Sequence, residues 1–372
     1  MKKRLPIFAL VLACALFVSY AAAAGGSAGD PLISLDYLKN VFAPAAESAV
    51  EQQLNAADAT VREAVMDAWH ESAGTPSAAA ELSFTPIWSE QRLKKGDALS
   101  AVTGTQVLLL AGEGKVSFSS GAVVDVTAGA EVASGSALLP GHRYMAAEDT
   151  SAVFSAASRT AVIDYCGSYR FAFSDATDYN AMAAALKSLT LLRGTDTGFG
   201  QGFDLEKAPT RIEALIMLIR LLGEERDALA CTGEQPFSDV PAWAAPYVAY
   251  AYQMGYSNGI GGGQFGTYRQ VVAVEYVEFV LRALGYSSTE RSNITDALER
   301  ALDDGVITSA EQALLENTVF LRADVVYLSY YALETPLADS SLVLHQKLES
   351  RGVFDRSSYR SAQALVASPR IA

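Results

Sequence analysis

Thr210-x-x-Glu213 stands immediately before an apolar run, with Arg211 between its two ends. The pattern is a capping box: the threonine oxygen accepts an amide left unpaired in the first helical turn, and Glu213 reaches back to the threonine N–H. Glu213 is therefore structural first. Arg211 has no such use, because a cation in a first turn opposes the helix dipole. An anionic ligand reverses that sign, since free amides, the dipole and a forked guanidinium then converge on one carboxylate. A salt bridge to a neighbouring acid is the competing use. Arg322 and Asp324 repeat part of the pattern, with Leu321 where the threonine should stand, and a partial pocket is expected there. Asp239 is placed to cap a helix, and Gly259 follows Asn258 in a turn. Trp243 serves either as core packing or as a sugar-facing platform with its indole N–H as donor. On this reading Arg211→Ala leaves stability level or slightly raised, because it removes only a surface cation that opposes the dipole.

Other chemistries find fewer residues. The histidines are His70, His142 and His345, and the cysteines Cys14, Cys166 and Cys231 lie far apart, so zinc-ribbon, CxxC and HExxH spacings are absent. No metal and no cofactor is expected. His142, at a strand start, reads as structural, because a barrel metal site would need several histidines. Cys166 and Cys231 read as free thiols, with an inter-domain disulfide as the alternative. A formal charge of -14 repels phosphate and disfavours nucleic acid as a partner. No serine stands in GxSxG. A hydrolase would have to draw on Asp97, Asp125, Glu131, Glu148 and Asp149 as paired carboxylates, and these sit at Gly- and Ser-rich strand edges, where solvated acids are common.

The elements that must position these residues follow from the patterning. The chain has 372 residues, 50% hydrophobic and 19% charged, room for two or three domains. Lys2, Lys3 and Arg4 precede an apolar run to Tyr20 and the small residues Ala21 to Ala24, so residues 1–24 read as an export signal; a lipid-attachment box at Cys14 is the rival. Residues 25–80 read as a helical segment, with apolar positions from Val50 to Ala68 recurring every three or four residues. Residues 81–172 change to short Val, Leu, Phe and Thr runs between glycines, an all-β sandwich or barrel. Residues 173–372 read as a helical repeat. Leu218-Ile219-Arg220-Leu221-Leu222-Gly223 is echoed by Phe279-Val280-Leu281-Arg282-Ala283-Leu284-Gly285, Phe173-Ser174-Asp175 by Phe237-Ser238-Asp239, and a weaker third copy runs to Leu333. The units span about 173–223, 237–285 and 286–335, each helix, Gly-containing loop, helix, followed by a C-terminal helix. The fold class is thus multidomain α+β.

At these residues the chain resembles the S-layer homology (SLH) family of secreted bacterial cell-surface proteins. The resemblance is carried by Pro209-Thr210-Arg211-Ile212-Glu213-Ala214, Phe237-Ser238-Asp239-Val240-Pro241-Ala242-Trp243, Gly255-Tyr256-Ser257-Asn258-Gly259 and Phe265-Gly266. It implies a C-terminal all-α pseudo-threefold bundle that holds secondary cell-wall polysaccharide non-covalently, often through a pyruvate-ketal carboxylate. Carried onto this sequence, it implies ligand contacts from Arg211, Glu213, Asp239, Trp243, Gly259, Arg322 and Asp324, and no catalysis. The second unit departs from the pattern, with Ala273 in the arginine position. The expected protein is secreted and wall-anchored; an adhesion role for the β domain and self-association into a lattice stay open.

Overall fold

The computed structural model describes residues 82–197, 200–287 and 294–372; the expected export signal and the helical segment 25–80 lie outside them. Alternating apolar residues and frequent glycines in the first described stretch produce one antiparallel sheet of eight strands. They are β1 (Ser83–Lys94), β2 (Ala98–Val102), β3 (Gln106–Phe118), β4 (Val123–Asp125), β5 (Ala130–Val132), β6 (Ala137–Leu138), β7 (Arg143–Ala146) and β8 (Ser151–Ala172). Along β3 the buried positions Val107, Leu109 and Ala111 alternate with less buried neighbours, the period-two pattern of a strand with one face inward. Leu93, Leu99, Val116, Val123, Tyr144, Phe154 and Ile163 join them in a core of their own.

The longest strand, β8, sets the shape of this domain. β2 pairs with both of its ends, Leu99 lying opposite Phe154 on one side and Phe171 on the other, so the sheet curls back on itself through β2. Between those ends the β3–β8 ladder slips twice, at Leu109/Ala111 and at Gly112/Gly114, and such bulges bend a strand pair. Gly112 has φ +81°, and a Cβ there would overlap the backbone of Thr160 and Ala161. Only glycine lets the bent strands stay in contact. Arg159 sits at this bend.

The second described part is helical: α1 (Tyr179–Ser188), α2 (Arg211–Leu221), α3 (Glu225–Leu229), α4 (Ala245–Gln253), α5 (Ala273–Leu284), α6 (Ala297–Asp303), α7 (Ser309–Asn317), α8 (Arg322–Ala332), α9 (Leu344–Ser350) and α10 (Arg356–Gln363), with a short hairpin of β9 (Thr195–Thr197) and β10 (Gly200–Gly202). The protein is therefore mixed α+β. Leu215, Leu218 and Ile219 of α2, Tyr276, Phe279 and Leu281 of α5, and Val325 and Val326 of α8 meet in one core. At its centre the Tyr276 hydroxyl lies 2.8 Å from Ser329 Oγ.

Two expectations need correction. One C-terminal helix was expected, and the chain forms two, α9 and α10, because Gly352 takes φ +71° and stops the first. The first half of the third unit is also divided, with Gly305 at φ +71° between α6 and α7. Cys166 and Cys231 are free thiols, so no disulfide joins the two parts.

Candidate functional site

Helices α2, α5 and α8 start alike. Each is preceded by an extended residue whose backbone N–H is taken by the acid at the third helical position: Thr210 N–H donates to Glu213 at 2.7 Å, Val272 N–H to Glu275 at 3.2 Å, and Leu321 N–H to Asp324 at 2.7 Å. Only Thr210 supplies the reciprocal half, its Oγ1 accepting from the Glu213 amide at 3.4 Å. Thr210→Ala is expected to cost about 1 kcal/mol through this lost cap, measured as a shift in the urea unfolding midpoint with unchanged slope.

Arg211, the first residue of α2, is 2% exposed, which overturns its expected place on the surface. Its guanidinium lies over the rings of Phe279 (4.6 Å) and Phe265 (5.3 Å). Nη2 donates to Ser257 Oγ at 3.2 Å, and Nη1 is 3.2 Å from Glu275 Oε1. That last pair has ionic distance without hydrogen-bond alignment, and both Nε and Nη1 keep unspent hydrogens. Burial pulls the Arg211 pKa down to about 10 against the opposing pull of Glu275; the group is still a cation at neutral pH. Arg269 also donates to Glu275 Oε1, and its side chain is 41% exposed. Two guanidiniums thus share the one carboxylate of Glu275, leaving an excess of positive charge where α2 and α5 start side by side.

The loop that carries Arg269 is held from below by Asp239. This residue was expected to cap α4, but the N-cap of α4 is Ala244 with no side-chain bond. Asp239 instead accepts from the amides of Phe265 (2.7 Å), Gly266 (2.7 Å) and Thr267 (3.1 Å). Burial pushes its carboxyl up, but these amides outweigh it and hold the pKa below the ordinary aspartate value. The loop in turn meets α2, where Arg211 N–H donates to the Arg269 carbonyl at 2.8 Å. Gly259, at φ +76°, lies against the Phe237 ring and the Gln264 carbonyl with no room for a Cβ. Its place is a close backbone approach. Trp243 is 54% exposed, which removes the core-packing alternative.

Arg322 and Asp324 do not share one pocket with Arg211. Arg322 Nε donates to the Phe203 carbonyl at 3.0 Å, and Nη1 is 3.9 Å from Glu213 Oε1. Asp324, 2% exposed, pairs with Arg159 of β8. Burial drives the Asp324 pKa up to about 6, with Arg159 opposing. Sequence reasoning missed Glu275, Arg269, Ser257 and Arg159 as partners. Glu275 carried a signal, since it stands in the second unit where Glu213 stands in the first; Arg159, far away in the β domain, carried none.

The β-domain acids divide. Asp97 (3% exposed) and Asp125 (4%) are buried, contrary to the expected solvated strand edges. Asp97 binds Lys94 Nζ at 2.9 Å and accepts from the Ser174 amide at 2.7 Å. Asp125 accepts from the amides of Thr127 and Ala128 and lies 2.7 Å from His142 Nδ1. Both carboxylates are committed to partners within the protein, Asp97 to Lys94 and Ser174 and Asp125 to a turn and His142.

A family model described as the S-layer homology domain matches residues 236–269. This segment is similar to the S-layer homology domain. The match takes in Asp239, Trp243, Gly259 and Arg269, the loop side of the site just described. A relative described as "Cell surface protein" from Thermoanaerobacter kivui is 29% identical over 185 residues, 48% of this chain and 24% of that protein. The chain thus aligns with about a quarter of the length of the curated relative it matches. Among solved structures, procruciferin, an 11S globulin from Brassica napus, is 15% identical over 23% of this chain and 21% of its own, with a TM-score of 0.16. A Clp1p–Pcf11p complex is 11% identical over 76% of this chain and 72% of its own, with a TM-score of 0.13. Neither likeness bears on the fold of this chain.

Proposed function

We propose that this is a secreted, non-catalytic cell-surface protein whose helical repeats, arranged as a pseudo-threefold SLH bundle, bind secondary cell-wall polysaccharide non-covalently. The observation that carries this reading is the charge imbalance at the start of α2, where Arg211 and Arg269 share the single carboxylate Glu275. In a chain of net charge -14, a locally surplus guanidinium fits an acidic group on a neutral polymer, such as a pyruvate ketal. Arg269 is the member that a polymer reaches, and exposed Tyr268 and Trp243 supply apolar faces of the kind that sugars stack on. The family match and the surface-protein relative support the location. Among the described residues no helix is long and apolar enough to cross a membrane, and this reading places attachment on the wall polymer.

Co-sedimentation of the full chain with purified cell walls, before and after the secondary polymer is stripped, tests this. Binding should vanish on stripping; equal binding to both preparations would refute it. Arg269→Ala should weaken binding about 10- to 100-fold, the worth of one charge-assisted contact of roughly 1.5–3 kcal/mol. Because Arg269 is partly exposed and Glu275 keeps Arg211, its unfolding midpoint should move little.

A further inference from the structure

The starts of α2, α5 and α8 are linked by a rule. Arg211, the first residue of α2, pairs with Glu275, the third residue of α5. Arg322, the first residue of α8, faces Glu213, the third residue of α2. Continued around the ring, the rule puts an arginine at the first residue of α5, facing Asp324, the third residue of α8. That residue is Ala273. Asp324 is nevertheless 2% exposed, and a carboxylate so buried needs a cation. The cation comes from outside the helices, as Arg159 at the bend of β8 pairs with Asp324.

We propose that Arg159 of the β domain takes the place of the missing arginine, so that the α5–α8 junction is a socket closed in cis by the β domain. Two contacts define the plug. Nη1 reaches Asp324, and Nη2 donates to the Val319 carbonyl at 2.7 Å just before α8. The fork is therefore spent on one acid and one carbonyl at once, a planar two-armed use that lysine does not match. A second tie holds the chain between β8 and α1, where Ser174 donates its amide to Asp97 and its hydroxyl to the Lys95 carbonyl at 2.6 Å. The β domain is thereby a fixed member of the helical assembly instead of a module on a loose tether. Resting on the wall-binding reading above, it also follows that polymer has two junctions, those of Arg211 and Arg322, and that the third is filled.

Limited proteolysis of the full chain at pH 7.5, followed at residues 173–178, tests the socket without any polymer. Arg159→Ala should raise the cleavage rate about tenfold or more, because cleavage follows the population of the undocked form. Ala273→Arg added to Arg159→Ala should restore the melting temperature of the helical part while leaving cleavage fast, since Asp324 regains a cation and the β domain does not return. Ala273→Arg alone should compete with Arg159 and also speed cleavage, which keeps the idea testable if Arg159→Ala folds poorly. Cleavage of Arg159→Ala at the wild-type rate would overturn the docking, and failure of Ala273→Arg to restore the melting temperature would overturn the equivalence of the two arginines. Failure of the wild-type chain to co-sediment with purified walls, with Arg159→Ala cleaved fast as expected, would count against the polymer reading alone.

Discussion

Arg211→Ala is expected to lower the unfolding free energy by about 3 kcal/mol, the lower end of the roughly 3–5 kcal/mol that follows loss of one partner from a buried ion pair. The lower end applies because Glu275 keeps Arg269. Two more losses add to the same direction: the guanidinium leaves a gap between Phe265 and Phe279, and the Ser257 hydroxyl loses its donor. The surface-cation argument from sequence gave the opposite sign for stability. Arg211→Lys should fall between, since lysine keeps the charge but has no planar guanidinium to stack flat on two rings. Chemical denaturation of the three proteins checks this. A melting temperature in Arg211→Ala equal to wild type would mean that the buried pair adds nothing.

Asp239→Ala is expected to have an effect of similar size, also about 3 kcal/mol. Three amides, those of Phe265, Gly266 and Thr267, lose a charged acceptor at once; each such bond is worth roughly 1.5–3 kcal/mol, and water replaces part of them. The loop they hold carries Arg269, so wall binding should fall with stability. The pH dependence has a definite sign. A carboxyl held below its ordinary value stabilises fully above about pH 4 and loses that contribution as the pH drops through the folded-state value. Asp239→Asn, which keeps one acceptor oxygen but does not titrate, should be intermediate in stability at pH 7 and should lack this acid-limb component. Unfolding curves between pH 2.5 and pH 7 would show it (roughly the span over which such a group titrates).

The strand and helix classes were legible because they rest on local periodicity: β3 alternates buried and less buried residues, and α2 begins where Thr210 and Glu213 announce a cap. The capping role of Glu213 could be read for the same reason, since both partners lie within one turn. Arg211 could be singled out by type and position but not placed, because its burial depends on Phe265, Phe279 and Glu275, which lie in another unit. Asp239 was misassigned as a cap for a related reason. An aspartate shortly before a helix reads locally as a cap, and only the tertiary approach of residues 265–267 offers it three better donors. The pairing of Arg159 with Asp324 spans two folds and has no periodic trace.

The route by which the chain enters and leaves the curled sheet also fixes how the molecule responds to a pull. Ser83, at the start of β1, pairs with Tyr169 near the end of β8, so both connections emerge at the same end of one antiparallel ladder. Tension between Leu82 and Phe173 therefore loads that ladder one rung at a time, as a zipper opens, and does not shear all its rungs together. β1 peels from one side of β8, while the rungs to β2, Ala98 against Ala172 and Leu99 against Phe171, take the load on the other. Its 12 residues, at about 3.4 Å each, would release on the order of 40 Å of slack, making the sheet a shock absorber upstream of the helices.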